Sequence, residues 1–158
     1  MVQVLFVCLG NICRSPMAEA VFRQMVQAAG LSEQIRVDSA GLGDWHAGEP
    51  PHHGTKKVLR DRGIRHDDLR ARQIERGDFE TFTYILCMDD QNLAGLKKLA
   101  PEANHICKLL DFAPELDERE VEDPYYTGRF EHVYQLIEQG CRGLLQKICQ
   151  DHGFTAKP

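Results

Sequence analysis

The sequence predicts an α/β fold, a four-stranded parallel sheet with helices on both faces. Three observations predict it. Short β-type runs alternate with helical patterns in the order β-α-β-α-β-α-β-α. The first run, Val2–Cys8, is nearly continuous in apolar residues, as a strand covered on both faces must be. The last segment carries one long apolar stripe at helical spacing.

The four β-type runs are Val2–Cys8, Ile35–Ser39, Thr83–Met88 and His105–Leu109. After Ser15, the apolar positions Met17, Val21, Phe22, Met25 and Ala28 recur at helical spacing. Pro16 suits a first helical position, where a missing N–H costs nothing, and Gly30 is placed to cap the end. Thr55–Arg62 and Asp90–Leu99 read as shorter helices. Phe130, Val133, Tyr134, Ile137, Cys141, Leu144, Leu145 and Ile148 form the stripe of the last helix. No linker divides the chain, so residues 1–158 are expected to form a single domain. Two long connections, Ala40–Gly54 and Leu110–Gly128, are rich in Gly, Pro and acidic residues. Loops of that length in a small domain are commonly functional.

With 19 Lys+Arg against 24 Asp+Glu, the formal net charge is -5. That balance argues against nucleic-acid or anionic-membrane binding, so any anion must be captured by a local site. No apolar run approaches the roughly 20 residues of a membrane span. Met1–Val7 has no basic n-region, so a secretion signal is not expected. The six cysteines, Cys8, Cys13, Cys87, Cys107, Cys141 and Cys149, are accordingly expected as reduced thiols in a cytoplasmic protein. His46, His52, His53 and His66 offer only a weak metal site, because adjacent His52-His53 in a polar loop are more often solvated, and no cofactor is called for. Arg60, Arg62, Arg65, Arg70, Arg72 and Arg76 alternate with Asp61, Asp67 and Asp68, which reads as a solvated charged face.

The informative segment is Val7-Cys8-Leu9-Gly10-Asn11-Ile12-Cys13-Arg14-Ser15-Pro16. It begins where a buried strand ends and closes where a helix starts. A loop of this length can wrap a tetrahedral anion, turning successive backbone N–H groups inward as a nest. The following helix adds its positive end. Arg14 can grip two oxygens in a fork. Gly10 and Asn11 are residue types that tolerate left-handed backbone angles. A thiol beside an arginine and a helix N-terminus is favoured as the thiolate, so Cys8 is the candidate nucleophile for a phospho-cysteine intermediate. The Ser15 hydroxyl is placed to steady that sulfur as it leaves. The leaving oxygen needs a proton, and Asp123, in Glu122-Asp123-Pro124-Tyr125-Tyr126, is the candidate general acid, then base. Tyr125 and Tyr126 can wall an aryl substrate.

Together, the Cys8–Pro16 segment and Asp123-Pro124-Tyr125-Tyr126 closely resemble the low-molecular-weight protein tyrosine phosphatase family. Asp38-Ser39-Ala40-Gly41, Ala71-Arg72-Gln73 and Tyr84–Asp89 extend the resemblance over nearly the whole chain. It implies a flavodoxin-like, phosphotyrosine phosphatase I-like fold. It implies hydrolysis of phosphotyrosine and aryl phosphates through a cysteinyl-phosphate, without a cofactor. Phosphotyrosine-containing proteins would be the partners and inorganic phosphate the product, with the enzyme a monomer or weak dimer. Cys8, Arg14 and Asp123 match the nucleophile, clamp and acid. Leu9, Gly10, Asn11, Ile12, Cys13 and Ser15 match the phosphate-binding loop, with Ser39 supporting Asn11. Trp45 falls where the family places an aromatic specificity wall, although a lone loop tryptophan is as readily packed on the core. Cys13 matches a redox partner for Cys8. Ile12 resembles the tyrosine-specific branch, whereas relatives acting on phosphoarginine carry threonine there.

Two departures stand out. Many members carry a histidine where this chain has Leu69, and an aspartate where it has His52. The nearest rival chemistry, thiol-dependent arsenate reduction, uses a similar loop but needs a further cysteine relay on a mobile segment. Cys141 and Cys149 fall on or near the last helix, and Cys141 lies on its apolar stripe.

Overall fold

The computed structural model describes residues 1–157. Four parallel strands, β1 (Val2–Cys8), β2 (Ile35–Gly41), β3 (Tyr84–Cys87) and β4 (Ile106–Lys108), form one sheet in the order β2-β1-β3-β4. Helix α1 (Arg14–Ala28) follows β1, α2 (His53–Asp61) follows β2, and α4 (Asp90–Leu99) follows β3. The long α6 (Phe130–His152) closes the chain. Between them lie one-turn helices α3 (Asp78–Thr81) and α5 (Pro124–Thr127), and a 3₁₀ turn at Leu109–Phe112.

The central strand shows why the first apolar run is unbroken. Val4, Phe6 and Cys8 pack toward α1, α2 and α6, against Met17, Phe22, Leu59 and Ile137. Leu5 and Val7 point the other way, into a smaller cluster with Ile85, Leu96 and partly buried Leu93 and Phe79 from α4 and α3. Alternate side chains thus feed two cores, and neither face meets water. Phe6 meets Phe22 edge-on at 5.6 Å between ring centres.

Some boundaries differ from the sequence reading. β2 continues past Ser39 because Val7 and Cys8 pair with Ala40 and Gly41. That pairing is a tertiary effect that overrides the low strand propensity of both residues. β3 and β4 are shorter than expected. Pro16 is the third residue of α1, not the first, and is still within the turn whose N–H groups need no helical acceptor. Gly30, at φ 75°, ends α1 as expected. Among the described residues, no helix is long and apolar enough to cross a membrane.

The chain passes from β1 to β2 on one side of β1, then crosses back to β3 on the other. The carboxyl ends of β1 and β3 therefore flank a switch point, where open α/β sheets bind ligands. Cys8 ends β1, and Asp89 lies two residues beyond β3.

Candidate active site

The segment from Cys8 to Ser15 curls over the end of β1, and its carbonyls are drawn outward. Leu42 and Gly43 donate backbone N–H groups to the Cys8 and Leu9 carbonyls, each at 3.0 Å. His52 N–H reaches Ile12 O at 2.8 Å, and the Thr55 hydroxyl reaches Cys13 O at 3.1 Å. With the carbonyls fixed outside, the loop's N–H groups turn to the interior of the curl, the geometry of an anion nest.

Asn11 sets the curl. It is the one non-glycine residue with positive φ among the described residues, at 58°. Its side chain is fully committed. Nδ2 donates to Ser15 Oγ at 2.7 Å and to Ser39 Oγ at 3.0 Å, while Oδ1 accepts from Arg72 N at 3.0 Å. Ser15 Oγ in turn lies 3.0 Å from Cys8 Sγ.

Arg14 is 2% exposed. Its Nη1 donates to Asp89 Oδ2 at 2.7 Å and to Val121 O at 2.9 Å, and its Nη2 lies 3.5 Å from Asp123 Oδ2. Nε is buried and has no partner among the described residues. Burial opposes the guanidinium charge, but Cys8, Asp89 and Asp123 outweigh it and hold Arg14 more firmly charged than usual. Asp123 caps α5, its Oδ1 accepting from Tyr125 N at 3.1 Å, which aims the other oxygen toward Arg14.

These groups floor a cavity of about 260 Å³. Leu9, Trp45, Tyr125 and Tyr126 stand around its mouth, with Trp45 65% and Tyr126 77% exposed. Tyr125 and Tyr126 meet edge-on at 5.2 Å. Trp45 lies over Gly43, where any β-carbon would strike the indole, so it stands at the rim and not in the core. Ile12 and Cys13 line the same cavity. Burial and the neighbouring Cys8 push the Cys13 thiol up to about 12. Gly10, also in the lining, sits under the His46 ring, 3.2 Å from where a β-carbon would be. Ser39 stays outside the cavity, behind Asn11.

The site thus gathers every candidate catalytic and phosphate-loop residue named from the sequence, together with Trp45, Tyr125 and Tyr126, with Ser39 in a supporting position. It also adds Asp89, which the sequence reading did not select. An acidic residue just past a strand end that also opens a helix was its available signal. Two sequence expectations are corrected. Arg72 is half-buried, not solvated. Its guanidinium bridges Asp38 and Asp78 at 3.0 Å each, which fixes the backbone N–H that Asn11 accepts. His52 is not simply solvated either. It caps α2 by accepting from Gly54 N at 3.0 Å and is stacked between His53 and Phe130.

Comparison with known proteins agrees with this geometry. The family model described as low molecular weight phosphotyrosine protein phosphatase matches residues 3–153. The low molecular weight protein-tyrosine-phosphatase YfkJ of Bacillus subtilis is 52% identical over 150 residues, covering 94% of this chain and 96% of the relative. The crystal structure of YfkJ superposes with a TM-score of 0.95 at 50% identity, covering 96% of this chain and 97% of the other. A protein tyrosine phosphatase from Entamoeba histolytica, crystallised with Hepes in its active site, gives 0.91 at 37% identity, covering 96% and 99%. Sequence and fold agree from the first strand to the last helix, and the chain belongs to the low molecular weight phosphotyrosine protein phosphatase family, a family of hydrolases.

Proposed function

We propose that this chain hydrolyses phosphotyrosine in proteins through a cysteinyl-phosphate on Cys8. The observation that carries the reading is Arg14. Its Nη1 is saturated by Asp89 and Val121, its Nε is buried without a partner among the described residues, and Arg14 lines the cavity together with Cys8. A phosphoryl oxygen is the acceptor that this donor lacks, and the inward N–H groups of the loop suit the remaining oxygens.

In the first step the Cys8 sulfur attacks phosphorus and the bond to the tyrosine oxygen breaks. Asp123 gives that oxygen its proton. In the second step water attacks phosphorus, Asp123 takes the water's proton, and the S–P bond breaks. Ser15, 3.0 Å from Sγ, donates a hydrogen bond to the departing sulfur. Leu9, Trp45, Tyr125 and Tyr126 hold the aryl ring. Ile12 puts an apolar side chain in the pocket floor and selects phosphotyrosine over phosphoarginine. Cys13 serves as redox partner to Cys8. Six unpaired cysteines suit a reducing, cytoplasmic setting.

The test is burst kinetics on a phosphotyrosine peptide with wild type, Cys8→Ser and Asp123→Ala. A burst in wild type, none in Cys8→Ser and slow turnover in Asp123→Ala is expected. No turnover by fully reduced wild type overturns the reading, and comparable turnover of phosphoarginine overturns the role of Ile12.

A further inference from the structure

Glu19 lies one helical turn after Ser15, on the same face of α1. Its Oε1 accepts from Ser39 Oγ at 2.6 Å. From there a continuous chain runs to the nucleophile. Ser39 Oγ is 3.0 Å from Asn11 Nδ2, which is 2.7 Å from Ser15 Oγ, which is 3.0 Å from Cys8 Sγ. The chain has a fixed direction because an amide nitrogen only donates. Both hydroxyl oxygens accept from Asn11, so each is left with its own proton to give. Ser39 gives its proton to Glu19. Ser15 has two takers, Cys8 Sγ at 3.0 Å and Ala40 O at 3.5 Å.

The charges facing Glu19 are Arg23 from its own helix, Asp38 from β2 and Asp68 from the loop after α2. Both neighbouring carboxylates already hold an arginine. Asp68 is bridged by Arg23 at 2.8 and 3.0 Å, and Asp38 by Arg72 at 3.0 and 3.2 Å. Arg23 Nη2 also donates to Arg65 O at 3.0 Å. Among the described residues, Glu19 is therefore left with a serine and no ion-pair partner of its own. Burial pushes its carboxyl up to about 7, with Asp38 and Asp68 adding to the rise and Ser39 and Arg23 opposing it.

We propose that Glu19 is a positioning residue whose ionisation, relayed through Ser39 and Asn11, sets whether the Ser15 hydroxyl points at the Cys8 sulfur. The proposal rests on the reading of Cys8 as nucleophile. When Glu19 is ionised, Ser39 must donate to it and presents a lone pair to Asn11, which locks the amide and sends the Ser15 proton to sulfur. When Glu19 is protonated, its own O–H competes for Ser39 Oγ. The Ser39 proton is released, the amide loosens, and the Ser15 proton divides between sulfur and Ala40 O. A carboxylate that never touches the substrate thereby tunes the nucleophile around neutral pH.

The test is the rate of Cys8 alkylation by iodoacetamide as a function of pH, read by mass at the Cys8 peptide. Wild type, Glu19→Gln and Ser39→Ala are compared, with folding checked by circular dichroism. Wild type is expected to show an extra inflection at about 7, the rate rising several-fold above it. Glu19→Gln keeps an acceptor oxygen but does not titrate, so its inflection disappears. Ser39→Ala cuts the relay and abolishes it as well. Absence of the inflection in wild type, or its survival in either variant, overturns the proposal. Should Glu19→Gln not fold, the wild-type and Ser39→Ala profiles decide it alone. Alkylation does not depend on phosphate turnover. A Cys8 that alkylates without the inflection sinks only the role of Glu19, whereas a Cys8 that does not alkylate sinks its reading as nucleophile.

Discussion

Asp89 divides its two oxygens between Arg14 and helix α4. Oδ2 accepts from Arg14 Nη1 and Oδ1 accepts from Asn92 N, both at 2.7 Å. One carboxylate therefore orients Arg14, the proposed phosphate clamp, and caps the helix that follows β3. The two tasks separate by substitution. Asp89→Asn keeps a good cap but removes the charge beside Arg14, and kcat/KM is expected to fall about 10–100-fold with little change in Tm. Asp89→Ala loses the cap too, for about 1 kcal/mol of stability. Equal activity losses with equal Tm losses in both variants would deny Asp89 its orienting role.

Asp123→Asn is informative for a similar reason. Asparagine keeps the acceptor for Tyr125 N but has no proton to give. Turnover of a phosphotyrosine peptide is expected to drop about 10²–10³-fold. The drop is smaller with p-nitrophenyl phosphate, whose leaving group needs less help. Equal losses on both substrates would remove Asp123 as the acid.

Oxidation tests Cys13. Peroxide is expected to convert the Cys8 sulfur to sulfenic acid, which the Cys13 sulfur then attacks, expelling water and forming a disulfide. Because burial holds the Cys13 thiol up to about 12, the attack must shed a proton, and closure is expected to quicken as pH rises. Dithiothreitol restores wild type after peroxide, whereas Cys13→Ser recovers far less because its Cys8 goes on to sulfinic acid. Full recovery of the variant would contradict this.

Glu19 also predicts how stability depends on pH. Its carboxyl is raised from 4.5 to about 7 in the folded protein, so the folded state holds this proton more tightly than the unfolded chain. The stabilisation is fully present below 4.5 and is lost as pH rises to about 7. The loss is at most about 3 kcal/mol. Urea midpoints measured on either side of that window should fall for wild type and change less for Glu19→Gln. Parallel curves would remove Glu19 as the source.

Gly143 bears on stability alone. A β-carbon there would lie 1.7 Å from Phe112 O, which is backbone and cannot swing aside. Gly143→Ala gains about 1 kcal/mol of helix propensity but forces α6 away from the Leu109–Phe112 turn. The overpacking outweighs the gain, and Tm is expected to fall by several degrees. A rise in Tm would show that α6 gives way at little cost.

The order of elements and the floor of the site were legible in the sequence because both are written locally. β1 is an unbroken apolar run, and α1 and α6 show long periodic stripes. The strand–loop–helix segment from Cys8 to Ser15 places the candidate nucleophile and the candidate clamp on one short curl of backbone. The one-turn helices α3 and α5 were not legible, because four residues hold no periodicity to read. Asp89, Arg72 and Glu19 act through partners 75, 61 and 20 residues away in sequence, a proximity that only the sheet order creates. The arginines between Arg60 and Arg76 illustrate the limit. Six looked alike in sequence, yet folding leaves five at the surface and draws Arg72 inward between two carboxylates.

The aromatic rim has a consequence of a different kind. Trp45, Tyr125 and Tyr126 project from the mouth into solvent, whereas Cys8, Arg14, Asn11 and Ser15 are locked into the core. In the proposed function, selectivity and reactivity therefore reside in mechanically separate layers of the same pocket. Exposed side chains can be exchanged at little cost to folding. The rim is thus free to drift across generations, or to be rewritten by design, toward new phosphorylated targets while the chemistry beneath it stays intact.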